Sequence, residues 1–431
     1  MRLETDTTSP SGSARLQPAH QRPERGLNPR ATSSHRAHPL PFSLALSFCL
    51  FLFTACSDRT ATTAAKKSAA PVVAETAWPM TRGGAALAGA VAAPLPRDPV
   101  TAWTFAANGS VQAEAAIAGG RVFVGTVKGT LHALAADTGK ELWRFEAKDA
   151  IMAAPAVAAG KVFLSSNDGK LYALDAATGA LAWSFSSDDK ISSGAITIKA
   201  PTGSGDWVLV NGYDGTTRAL AAADGKLVWS YKADEPINGS PAVVDGRWLV
   251  FGGCDAQLHV VNLADGSLVR KIATSAQIPA SIATHGTMAF CGNYANEAVA
   301  FDVTGGKVAW TYQDRQLPFM SAPAVNDRLV LLGSRDKQLH AINRADGQAA
   351  WTFKTGGRVE GSPLLFNDGV VFGSTDGRLY AANLEKGEEL WRLDLGESLV
   401  ASPAYGARLL VVGGEKGTVF ALRAGPAPKK S

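Results

Sequence analysis

The chain has 431 residues, of which 44 are Gly, 46% are hydrophobic and only 19% are charged, a balance that describes a turn-rich β protein with a substantial core rather than a disordered chain. The formal charge is +4, and residues 1–55 hold six Arg against three acidic residues, leaving +1 for the remainder. That near-neutral balance argues against a nucleic-acid-binding surface.

Taken in chain order, the first element is a leader. Residues 42–55, FSLALSFCLFLFTA, form an uncharged run of 14 residues that follows Arg30, His35, Arg36 and His38 and ends at Thr54-Ala55-Cys56. A run of this length suits a signal-peptide core and falls short of the roughly 20 residues that a membrane-spanning helix needs. Two readings of its end stay open. Cys56 is the lipid-attachment residue of a lipobox-like ending, with Phe53 where Leu is commonest, or it is incidental to ordinary signal cleavage. The stretch before residue 38 is long for a leader, so either the start is assigned too early or residues 1–55 form an unusual leader. Residues 56–96, rich in Ala, Thr, Lys and Pro, read as a flexible tether that contains the segment Trp78–Gly83.

From residue 97 to 424 self-similarity dominates. Eight segments share a turn, an apolar strand, a second turn and usually a Trp, beginning with GTLHALAADTGKELW at Gly129 and GKLYALDAATGALAW at Gly169 and ending with a truncated GTVFALRAG at Gly417. Their starts are spaced 40, 46, 41, 40, 41, 40 and 40 residues. Within the second unit, Ala154–Val157, Lys161–Leu164, Leu171–Leu174 and Leu181–Phe185 read as four short strands, with Asp168-Gly169 and Thr178-Gly179 as turns. Four antiparallel strands per 40-residue unit predict an all-β propeller. The last unit stops after its third strand, whereas Trp103-Thr-Phe105 precedes any first strand. Pairing the two gives eight complete blades in one closed, monomeric ring, with residues 425–431 as a disordered tail.

Trp103, Trp143, Trp183, Trp229, Trp310, Trp351 and Trp391 recur at one position, with Arg270 at the eighth. That recurrence makes them inter-blade packing, each burying about 150–250 Å². His132, His259 and His340 share one third-strand slot on different blades and read as structural. Cys254 and Cys291 remain after Cys49 and Cys56 are placed in the leader; a disulfide and two free thiols are both open. Aligning the units places Glu114 and Glu360 as the ionisable groups near the ring axis, among Ala, Gly and Ser. Separated on the ring, they read as solvated at the channel mouth rather than as a general acid and base. No convergent oxygen set for Ca²⁺ emerges. Arg315, Leu317, Phe319 and Met320, beside a one-residue insertion, form a candidate interaction loop; alternatively Phe319 and Met320 match Ile151 and Met152 as inner packing.

Residues 97–423 resemble pyrroloquinoline-quinone (PQQ)-type propeller repeats, whose A-x-D-x-x-T-G-x-x-x-W pattern is matched from Ala173 to Trp183. The segment Trp78-Pro-Met-Thr-Arg-Gly83 resembles a lead-in common in PQQ-like propellers of the BamB type, lipoproteins of the outer-membrane β-barrel assembly machinery. The resemblance implies an eight-bladed ring and two functional branches. A PQQ- and Ca²⁺-dependent dehydrogenase would carry adjacent cysteines, Ca²⁺ ligands and an Asp base; this sequence has no adjacent cysteines and no C-x-x-C-H haem motif. The expectation is therefore a non-catalytic scaffold without cofactor, exported to the periplasm, lipid-anchored at the outer membrane and binding envelope proteins. A dehydrogenase or ligand-sensing propeller is the alternative.

Overall fold

The second and third strands of each repeat are unbroken apolar runs, whereas the fourth alternates, and this difference fixes their places in the blade. In the second repeat, Lys161–Ser165 and Lys170–Asp175 are buried along nearly their whole length, while Leu181–Ser186 alternates exposed and half-buried residues. A strand covered on both faces needs apolar side chains throughout; an outer strand needs them on one face only. The computed structural model describes residues 76–314 and 317–426, and these contain eight four-stranded antiparallel sheets. Blade 2 comprises Ala156–Ala158, Lys161–Ser165, Lys170–Asp175 and Leu181–Ser186, in that order from inside to outside. Blade 8 is built from both ends of the ring: Val100–Ala106 pairs antiparallel with Thr418–Arg423, outside Leu409–Gly413 and Ala404–Gly406.

Neighbouring blades are joined at the rim by the repeated Trp. Each indole Nε1 donates to a carbonyl in the turn between the third and fourth strands of the next blade, for example Trp103 to Ala136 at 2.8 Å and Trp229 to Leu263 at 3.1 Å. The ring lies flat on the turn Gly: a Cβ on Gly179, which has φ +75, would lie 2.6 Å from the indole of Trp143. The Thr-Gly of the repeat is therefore the seat of the preceding blade's Trp. Arg270 keeps this function without an indole, its Nη1 donating to Thr304 O at 2.7 Å. Blade 8 has no such turn, because the chain ends intervene, and Pro96 O substitutes by accepting from Trp391 at 2.9 Å.

The structure corrects the tether reading for residues 76–96. The carbonyls of Thr76, Trp78, Pro79, Ala85, Ala86, Ala88 and Gly89 accept the N–H groups of Ala407, Ile117, Val157, Val243, Thr284, Val325 and Leu365. These donors lie on the innermost strands of blades 1, 2, 4, 5, 6 and 7 and, for Ala407, directly after that of blade 8, so the segment winds once around the inside of the ring. Trp78 and Leu87 are fully buried. The composition that suggested a tether has a different physical use here. Small Ala and Gly residues let a backbone run within hydrogen-bonding distance of crowded inner strands, whose N–H groups would otherwise be unpaired. Cys56, the leader and residues 427–431 lie outside the described residues, as do Arg315 and Gln316.

Candidate functional site

The connections from the outer strand of one blade to the inner strand of the next converge on the axis, where Thr81 and Arg82 of the winding segment meet them. The residue two before each inner strand is mostly small, and the serines among them clasp neighbouring blades: Ser240 Oγ accepts from Gly194 N at 2.8 Å, Ser281 Oγ from Ser240 N, Ser362 Oγ from Ala322 N and Ser402 Oγ from Ser362 N, the last three at 2.9 Å. They surround an axial well of about 430 Å³. Gln112, Met152, Asn238, Pro279 and Met320 line its mouth, and Thr81, Arg82 and Glu114 form its floor.

The floor is an ionic plug. Glu114 is buried and accepts from Trp78 Nε1 at 2.5 Å, Arg82 N at 3.1 Å and Thr81 Oγ1 at 3.5 Å. The Arg82 side chain crosses the axis, its Nη2 donating to Pro363 O and to Pro323 O at 3.4 Å. It rests on Gly89, where φ is +59 and any Cβ would collide with the guanidinium. Burial pushes the Glu114 carboxyl up, opposed by the Arg82 charge and by the three donors; burial pushes Arg82 down, opposed by Glu114. In each group burial is the larger effect, and the opposite charge offsets it only in part.

These contacts overturn the expectation of two solvated acids. Glu114 is sealed beneath the well, and Glu360 is held by Arg335 Nε at 3.1 Å and Arg358 Nη1 at 3.3 Å. Sequence reasoning missed Trp78, Thr81 and Arg82 as partners of Glu114, because they precede the repeats and so have no counterpart to align. The available signal was a lone Trp in an Ala-rich stretch, an apolar side chain that solvent would not hold.

The third-strand slot proves to be a second repeated network. Its side chain reaches the Asp of the turn four residues earlier: Tyr172 to Asp168 at 2.6 Å, His259 Nε2 to Asp255 at 2.8 Å, His340 Nε2 to Asp336 at 3.0 Å and Tyr380 to Asp376 at 2.7 Å. Arg218 and Asp214 form the same pair. Burial alone would raise Asp214, but donors from Arg218, Thr216 N and Ser187 Oγ hold it at about 2. Burial lowers His259 despite Asp255. His132 departs from the pattern, with Nδ1 2.7 Å from Glu141 and Nε2 3.1 Å from Ala107 O. Asp314, Asp336 and His340 do gather with ligand atoms within 4.8 Å of one another. The His340 ring is nevertheless placed like that of His259, between an Asp and a Tyr hydroxyl, which is blade packing.

The candidate interaction loop divides. Phe319 is buried against Tyr312 and His340, so it is inner packing; Leu317 is 43% exposed, and Met320 lines the well mouth. Exposed Met152 and Tyr294 extend this apolar surface around part of the mouth. Cys254 and Cys291 are both free thiols, and burial pushes Cys291 well above the usual thiol range.

With this geometry in view, comparison with known proteins decides the family. The family model described as outer membrane protein assembly factor BamB matches residues 88–232, 213–324 and 317–425. The chain belongs to that family. BamB from Nitrosomonas eutropha is 25% identical over 115 residues, 26% of this chain and 27% of the relative, so the alignment spans about a quarter of the curated relative's length. The crystal structure of BamB from Moraxella catarrhalis superposes with a TM-score of 0.63 at 20% identity, covering 75% of this chain and 99% of that one. Quinohemoprotein alcohol dehydrogenase from Comamonas testosteroni gives 0.68 at 16% identity, covering 83% and 82%. At these identities both superpositions establish the propeller fold alone. Membership in the BamB family rests on the repeats themselves, and the family match begins at residue 88, inside the winding segment.

Proposed function

We propose that this protein is a non-catalytic scaffold of the cell envelope that takes part in outer-membrane protein assembly and docks partner proteins on the mouth face of the ring. The observation that carries the reading is the BamB family match over most of the chain, joined to exposed apolar residues, Met152 and Tyr294 around the mouth and Leu317 in the loop before Met320. Flexible Met and aromatic side chains of this kind suit protein contacts. The two axial carboxylates support the same view, since each is occupied by a structural partner. Neither PQQ nor Ca²⁺ is required by this reading.

Affinity capture from detergent-solubilised envelope tests it. The wild-type protein should recover β-barrel assembly components, and a Leu317→Asp/Tyr294→Asp variant should lose them. Exposed substitutions of this kind shift stability by less than about 0.5 kcal/mol, so an unchanged circular dichroism spectrum with lost capture supports the mouth, and undiminished capture sinks it.

The leader ending at Thr54-Ala55-Cys56 supports lipid anchoring at the outer membrane through Cys56. On fractionation, Cys56→Ala should move the protein from the membrane pellet to the soluble periplasmic fraction. A wild-type protein that is already soluble refutes the anchor.

A further inference from the structure

We infer that the axial well is a binding site for a small oxyanion, a carboxylate or a phosphate. The inference comes from the hydrogen-bonding capacity that the protein leaves unused around the well. At the floor, Arg82 is 3% exposed, yet its Nε and Nη1 have no hydrogen-bond partner among the described residues. A buried donor left unpaired costs about 1–3 kcal/mol, so a side chain held across the axis in this state calls for an acceptor that the chain does not supply. On the wall, the oxygens of Ser240, Ser281, Ser362 and Ser402 each accept a backbone N–H from the preceding blade. Each keeps its hydroxyl hydrogen to donate. The unused capacity is therefore donor capacity, and it matches a guest rich in acceptor oxygens.

Charge agrees with this choice. Glu114 offsets Arg82, and its oxygens are already occupied by Trp78, Thr81 and the Arg82 backbone. No acidic residue other than Glu114 lines the well among the described residues, so no further carboxylate there repels a negative guest. The volume of about 430 Å³ admits a small acid with its substituent or its remaining hydration.

Isothermal titration of the purified protein tests the assignment, with sodium phosphate and sodium acetate run separately against a sodium chloride reference of equal ionic strength. Saturable 1:1 binding of either salt is the expected result. Phosphate alone identifies a tetrahedral guest, and acetate alone a carboxylate. Arg82→Gln should abolish binding. Because that variant removes part of the plug and could fail to fold, Ser362→Ala/Ser402→Ala is the second arm. It keeps the plug and should weaken binding at least about tenfold through two lost hydrogen bonds to a charged acceptor. Absence of saturable binding by both salts, or unchanged affinity in the serine variant, overturns the inference.

Discussion

Trp78→Ala is expected to lower the unfolding free energy by about 3–5 kcal/mol, the usual range for truncating a buried aromatic side chain. The indole is 1% exposed and lies outside every repeat, so the loss measures the winding segment and not a blade. Two effects combine. The vacated volume lies between the segment and the inner strand of blade 1, where Trp78 and Ile117 exchange both backbone hydrogen bonds. Glu114 also loses the donor at 2.5 Å, leaving a buried carboxylate with fewer partners. Guanidinium denaturation followed by circular dichroism is the measurement. A flexible tether would tolerate the same substitution within about 0.5 kcal/mol, and a change that small would refute the structural role of residues 76–96.

The second large effect concerns the plug. Glu114→Leu should cost about 3–5 kcal/mol, because Glu114 is the countercharge of buried Arg82, although the two side chains share no hydrogen bond, and its removal strands that guanidinium. Arg82→Met/Glu114→Leu should then be less destabilised than Glu114→Leu alone, since no uncompensated charge remains beneath the well. The double-mutant cycle reads this directly as a coupling energy. If the two single losses simply add, Arg82 and Glu114 do not stabilise one another and the floor must be described differently.

What the sequence made legible follows from periodicity. Blade number, strand order within a blade and the inter-blade position of the seven Trp residues all repeat, and a repeated feature can be recognised by alignment against its own copies. Trp103 is the instructive case, because only the deficit of the eighth unit showed where that strand belongs, and the structure pairs Thr104 with Phe420. Arg270 was legible as an exception but not as a replacement, since nothing in its identity says that a guanidinium will reach the carbonyl an indole usually takes. The floor of the well was illegible for the opposite reason. Trp78, Thr81 and Arg82 occur once, in a stretch whose Ala and Gly content matches that of a linker. Their meaning depends on contacts such as Arg82 to Pro363, separated by 281 residues. Alignment of the repeats puts Glu114 near the axis but cannot show that it is sealed from water, because its partners Trp78, Thr81 and Arg82 precede the repeats.

The winding of residues 76–89 also bears on how the ring comes apart. Repeat arrays whose units touch only their neighbours fray from the ends, one unit at a time, because each interface can be lost without disturbing the others. Here a single stretch of backbone is hydrogen-bonded to seven of the eight blades, all but blade 3, and then continues into the outermost strand of blade 8. Separating the seam in blade 8 leaves the hub intact, and releasing the hub leaves the seam intact. Opening of the ring therefore requires both to fail together, which turns a string of local opening reactions into one cooperative event that depends on residues 76–106.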